Sequence, residues 1–125
     1  MQFLLPETIV REAGVGPAID ISEARGKTLL LTLVITRILE KESIDVTIWG
    51  SEDGRDWGTI PIASYTQKFY CGTYRMLLDL SPRPDVRCLR AQWDTGRWGT
   101  AKGRPLFTIS LSAHSPERQY AYAGA

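Results

Sequence analysis

The chain has 125 residues, 43% of them hydrophobic and 23% charged, with a formal net charge of +1. That composition fits one globular domain able to bury its own core, and it excludes a low-complexity or disordered chain. No apolar run approaches the roughly 20 residues of a membrane helix, and no basic segment followed by a long apolar run opens the chain. A cytoplasmic protein with no signal peptide and no membrane partner is therefore expected.

In chain order, residues 1–7 read as an N-terminal arm. Residues 17–22 form a short strand with Ile19 and Ile21 on one face, and residues 22–26 allow a single helical turn. The longest strand spans 28–37. Leu29, Leu31, Leu33 and Ile35 share one face, while Leu30, Thr32, Val34 and Thr36 share the other. Apolar residues on both faces predict a central strand partly covered on its second side. A charged connection, 38–42, leads to a strand over 43–49 with Ile44, Val46 and Ile48 inward and Asp45, Thr47 and Trp49 outward.

Ser51-Glu52-Asp53-Gly54 reads as a tight turn, since Asp-Gly supplies positive φ angles. Trp57 and Ile60 resume the pattern. Residues 65–73 are aromatic and turn-rich, and 75–80 form a strand with Met76, Leu78 and Leu80 on one face. Pro82 and Pro84 take 81–85 out of the sheet. Residues 86–93 form a strand with Leu89, Ala91 and Trp93 inward. Residues 94–104 read as a long Gly-rich connection, and 105–113 close the domain with Phe107, Ile109, Leu111 and Ala113 on one face. Seven or eight short antiparallel strands without a helix predict an all-β sandwich, discoidin-like or jelly-roll-like. It occupies residues 1–113, with 114–125 as a C-terminal tail.

The middle of the chain carries a recognisable order of parts. Asp45-Val-Thr-Ile-Trp-Gly-Ser-Glu-Asp-Gly-Arg-Asp-Trp57 is followed by Phe69-Tyr-Cys-Gly-Thr-Tyr74, Leu77-Leu-Asp-Leu80 and Asp85-Val-Arg-Cys-Leu-Arg-Ala-Gln-Trp93. This resembles the discoidin-like (coagulation factor 5/8 C-terminal-type) β-sandwiches over about residues 43–113. In its short form it looks like small structural proteins encoded among phage head and tail genes. Cys88 stands where the family strand has Tyr, and no calcium or sugar loop precedes the hairpin. The resemblance implies a fold more than a ligand.

The residues offer little to catalysis. His114 is the single histidine and lies at the edge of the tail. The carboxylate pairs Asp53/Asp56 and Glu40/Glu42 read as solvated turn and connection residues. Gly96, Gly99 and Gly103 precede no helix, so no phosphate-cradling loop is present. Cys71 and Cys88 read as two reduced thiols, and with His114 they do not supply a zinc set. No enzyme, metal or cofactor is expected.

Charge is uneven along the chain. Residues 1–60 hold 6 basic against 10 acidic side chains, and residues 61–125 hold 9 against 4. Arg83, Arg87, Arg90, Arg97, Lys102 and Arg104 are interrupted by Asp85 and Asp94, so a salt-bridged or subunit surface is expected rather than nucleic acid. Trp57 and Trp93 fall in phase with the inward residues and are assigned to the core. Trp49 points outward, and Trp98 lies in the Gly-rich connection beside Arg97. Exposed aromatics of this kind suit a protein interface, packing within the chain, or a sugar platform. The polar tail has too little apolar surface to order itself, which points to packing along a neighbouring subunit. The expectation is a structural protein that self-assembles into, or decorates, a particle, tube or filament such as a virion, with contacts at Trp49, Tyr70, Arg97, Trp98, Tyr120 and Tyr122. Its partners would be itself and other particle proteins. The alternative is a carbohydrate-binding module presenting Trp49 and Trp98 to a glycan.

Overall fold

The computed structural model describes residues 2–38, 42–97 and 106–116, with Arg97 described by its backbone alone. They form nine strands: β1 (Gln2–Val10), β2 (Gly14–Val15), β3 (Ile19–Asp20), β4 (Thr28–Ile38), β5 (Glu42–Ser51), β6 (Ala63–Ser64), β7 (Gly72–Asp79), β8 (Cys88–Arg97) and β9 (Phe107–His114). A 3-10 turn, Ser22–Ala24, stands where the sequence allows a helical turn. Sheet A has the order β1-β9-β4-β7, and sheet B has β2-β8-β5-β6 with β3 also on β8; every pairing is antiparallel. The protein is an all-β sandwich.

The period-2 alternation of the long strands explains the core. Leu31, Leu33 and Ile35 of β4 face Ile44, Val46 and Ile48 of β5, joined by Leu89 and Ala91 of β8 and Phe107, Ile109 and Leu111 of β9, all at most 1% exposed. Sheets with one apolar face each must bury those faces against one another. β4 lies between β9 and β7, so it is central as predicted.

The structure departs from the sequence reading in several places. The N-terminal arm is strand β1, hydrogen-bonded to β9, and it places Leu4 (0% exposed) and Leu5 (5%) in the core. Its alternation was obscured by register shifts between Phe3 and Leu5 and between Leu5 and Thr8, which let two successive leucines point inward. β8 does not stop at Trp93 but runs on to Arg97, because Glu42–Asp45 of β5 continue the ladder. There Gly96 lies opposite Ser43, and a Cβ at 96 would stand 2.6 Å from the Ser43 Oγ.

Trp57 and Ile60 resume no strand. The chain from Glu52 to Pro61 is a loop, in which Ile60 is 76% exposed and Trp57 half-buried. The Asp-Gly pair is used otherwise than in a two-residue hairpin. Ser51 Oγ accepts the N–H groups of Asp53 and Gly54 at 3.2 and 2.8 Å, and Asp53 Oδ1 accepts those of Arg55 and Asp56 at 2.8 and 2.9 Å. Gly54 has φ +77°, as that turn requires.

Finally, Glu42 is not a solvated connection residue. It begins β5 in phase with Ile44, Val46 and Ile48, so its side chain points inward and is 1% exposed. Its Oε2 accepts the Leu106 N–H at 3.1 Å. Its companion in that pair, Glu40, lies outside the described residues.

Candidate functional site

The two sheets turn different outer faces to their surroundings. On sheet A, the strand register sets Leu30 between His114 and Leu77, Thr32 between Ser112 and Arg75, and Val34 between Ser110 and Thr73. On the β1 side, Phe3 lies opposite Ser112 and Ile9 opposite Thr108. The middle of this face is therefore aliphatic and hydroxyl-bearing. Formal charge lies around its margins, with Arg75 and Asp79 on β7, Glu7 on β1 and Arg37, opposite Thr108, near the end of β4. Ile9 is 64% exposed, Leu77 53% and Phe3 44%. The Thr32 hydroxyl, at the centre, is buried without a hydrogen-bond partner. The cover that the sequence predicts for the second side of β4 is not supplied by any described strand, since sheet B lies across the core on the other side.

The outer face of sheet B is polar. Asp45, Thr47 and Trp49 of β5 stand opposite Asp94, Gln92 and Arg90 of β8. Like charges directly opposite repel. Here Gln67 Nε2 donates to Asp45 Oδ2 at 3.0 Å, and Asp94 Oδ1 accepts the Thr95 N–H at 2.9 Å. The Trp49 Nε1 donates to Thr47 Oγ1 at 2.9 Å. The Arg90 guanidinium lies 4.4 Å from the centre of the Trp57 ring, so Arg90 carries a tryptophan against it from the loop while standing beside Trp49 in the ladder.

Beyond the β5 end of that face, an open cleft of about 840 Å³ is lined by the Ser51–Asp56 turn, Trp57 and the Arg83–Arg87 segment. The hydrogen bonds that Asp53 accepts from Asp56, Arg55 and Ser51 hold its pKa at about 2. Its carboxylate is committed to the turn. Arg83 and Asp85 form an exposed ion pair at 3.9 Å.

Among the described residues, the predicted contacts Trp49, Tyr70 and Arg97 do not form one patch. Trp49 is half-buried on the outer face of sheet B, as its phase implies. Tyr70 is 76% exposed in the crossing from sheet B to sheet A, where its carbonyl accepts the Tyr74 hydroxyl at 2.6 Å. Arg97 ends β8 opposite Glu42, seven residues along β5 from Trp49, which is about 23 Å of strand. Trp98, Tyr120 and Tyr122 lie outside the described residues. Trp93 faces inward as assigned, but only half-buried at the margin of the core, with Nε1 donating to the Glu12 carbonyl at 3.1 Å. Trp57 is not a core residue. Its inward phase was counted along a strand that does not exist, and it packs on Arg90 instead. Cys71 and Cys88 are both free thiols, the first exposed and the second half-buried.

Compared with known proteins, the chain matches no family model and no curated sequence. Among the described residues, no helix is long and apolar enough to cross a membrane. The candidate site therefore stands on geometry alone. The feature that sequence reasoning underused is the outer face of sheet A. Its signal was the second apolar row of β4, Leu30 and Val34. Phe3 and Ile9 joined it only once β1 was known to be a strand.

Proposed function

We propose that this protein is a structural component that assembles with copies of itself into a larger particle, tube or filament. The single observation that supports this reading is the charge-poor outer face of sheet A, where Leu30, Val34, Leu77, Ile9 and Phe3 lie on one side of a four-stranded sheet that no described strand covers. Apolar side chains exposed together on a sheet face of this kind, here spaced by the hydroxyls of β9, support an interaction surface. The resemblance to discoidin-like sandwiches, in the short form seen among phage head and tail proteins, makes a virion component the most concrete form of the proposal. The C-terminal tail expected over residues 114–125 acts in this reading as an assembly arm. The glycan alternative is less well supported, because its one described platform residue, Trp49, is half-buried with its Nε1 donating to Thr47 Oγ1.

The test is the mass of the full chain in solution, by light scattering across a concentration series. A discrete species well above the chain mass of 14.0 kDa is expected. A monomer at every concentration would overturn the reading, and glycan binding by Trp49 variants would then be measured.

A further inference from the structure

We infer that the outer face of sheet A is the pairing surface between two copies of this chain, apposed face to face about a two-fold axis running along the strands. The inference rests on the assembly reading above and names the surface and the partner.

Three observations carry it. The first is size. Four strands about 4.8 Å apart, with roughly eight residues each at about 3.4 Å per residue, make a face of about 500 Å², so self-pairing buries on the order of 1,000 Å² in total, near the lower limit of a specific interface. The second is composition. β9 and β4 bring Ser110, Ser112, Thr32 and Val34 to the middle of the face, and the one charge those two strands add, Arg37 opposite Thr108, stands exposed at the end of β4, so a second copy covers the middle without burying an unpaired charge there.

The third is the distribution of charge at the rims. The sheet order β1-β9-β4-β7 puts Glu7 on one edge strand and Arg75 on the other, both exposed. A two-fold axis along the strands lays β7 of one copy over β1 of the other and β4 over β9. Arg75 pairs in register with Thr32, Thr32 with Ser112, and Ser112 with Phe3. Arg75 of one copy therefore arrives at the level of Phe3 of the other, with Glu7 about two residues, roughly 7 Å, further along that β1 and within reach of the long arginine side chain, and the contact repeats at the opposite rim. An isologous interface needs that self-complementarity. A partner with a strongly charged surface finds no matching field on this face.

The test uses the full chain in sedimentation equilibrium, with circular dichroism to confirm folding. Val34→Lys places a charge at the centre. Arg75→Glu and Glu7→Arg change exposed rim residues that the fold does not need. Each single variant is expected to weaken self-association by about tenfold or more, and the double variant R75E/E7R to recover most of that loss. Ile60→Lys, a loop residue off this face and 76% exposed, is expected to leave association unchanged.

Association that persists unchanged in Val34→Lys and in both rim variants would overturn the pairing surface while leaving the assembly reading standing. A wild-type chain that is monomeric throughout would overturn both, leaving the face to its own C-terminal segment or to a different protein. Loss in the single variants without recovery in the double variant would overturn the two-fold arrangement proposed here.

Discussion

The Glu42 carboxylate accepts the backbone N–H of Leu106 at 3.1 Å, inside a sandwich end where Glu42 is 1% exposed. This bond ties the start of β5 to the residue before β9, and so fastens sheet B to sheet A. Buried donors that lose their acceptor are expensive. Glu42→Gln keeps an acceptor oxygen and the side-chain volume, whereas Glu42→Leu leaves the Leu106 N–H unpaired. The leucine variant is expected to lose about 1–3 kcal/mol of stability and the glutamine variant less. Urea unfolding of the two variants beside the wild type checks the order.

The Ser51–Asp56 turn predicts a pH effect with a definite sign. Asp53 titrates at about 2 in the folded protein against 3.8 ordinarily, because backbone and Ser51 hydrogen bonds favour its ionised form. A carboxylate depressed on folding stabilises the native state above its unfolded pKa and loses that contribution as pH falls through the folded value. Asp53→Ala should therefore be less stable than wild type at pH 5–7, with the gap closing between about pH 4 and pH 2. Parallel denaturant curves over that range test it. A gap independent of pH would mean that the carboxylate's charge does not matter to the turn.

Gly54 lies in the same turn at φ +77°. A residue with a Cβ is strained there by roughly 1–2 kcal/mol, and Asn tolerates the region better than Ala. Gly54→Ala should lower the unfolding midpoint more than Gly54→Asn does.

β1 predicts a contrast between neighbours on one strand. Leu4 is fully buried, and Leu4→Ala should cost about 2–5 kcal/mol as a cavity in the core. Ile9 is 64% exposed on the outer face of sheet A, and Ile9→Ala should change monomer stability by less than about 1 kcal/mol. Thermal unfolding of the two variants separates a core strand from a loosely attached arm.

The stacking of Arg90 on Trp57 gives a coupling that a double-mutant cycle reads directly. With the guanidinium 4.4 Å from the ring centre on a partly exposed surface, Arg90→Gln and Trp57→Leu are expected to be non-additive by about 0.5–1 kcal/mol. Additive effects would show that the two side chains are merely adjacent.

What could be read from the sequence follows from how plainly each strand alternates. β4, β5, β9 and the first half of β8 write their inward faces with Leu, Ile, Val and Phe at every second position, so their phase was legible. β1 was not, because its bulges break the alternation around Leu4, Leu5 and Pro6. The end of β8 was hidden by Asp94-Thr95-Gly96, a string that reads as a turn until Ser43 is known to lie opposite Gly96. Glu42 was misplaced because a carboxylate signals solvent unless the structure provides a buried N–H. The candidate surface was half legible. The second row of β4 announced an apolar outer face, but the neighbours that extend it come from strands brought together only by the long-range pairing.

That pairing also governs how the protein is made. The first strand bonds to the last, and the last also fills the gap between β1 and β4 at the middle of sheet A. While the chain is being synthesised, sheet B can gather from β2, β3, β5, β6 and β8, but β4 must wait with one edge unpaired until residues 107–114 leave the ribosome. Sheet A thus cannot be completed without β9, and a chain truncated before it carries an open apolar edge prone to joining other chains out of turn.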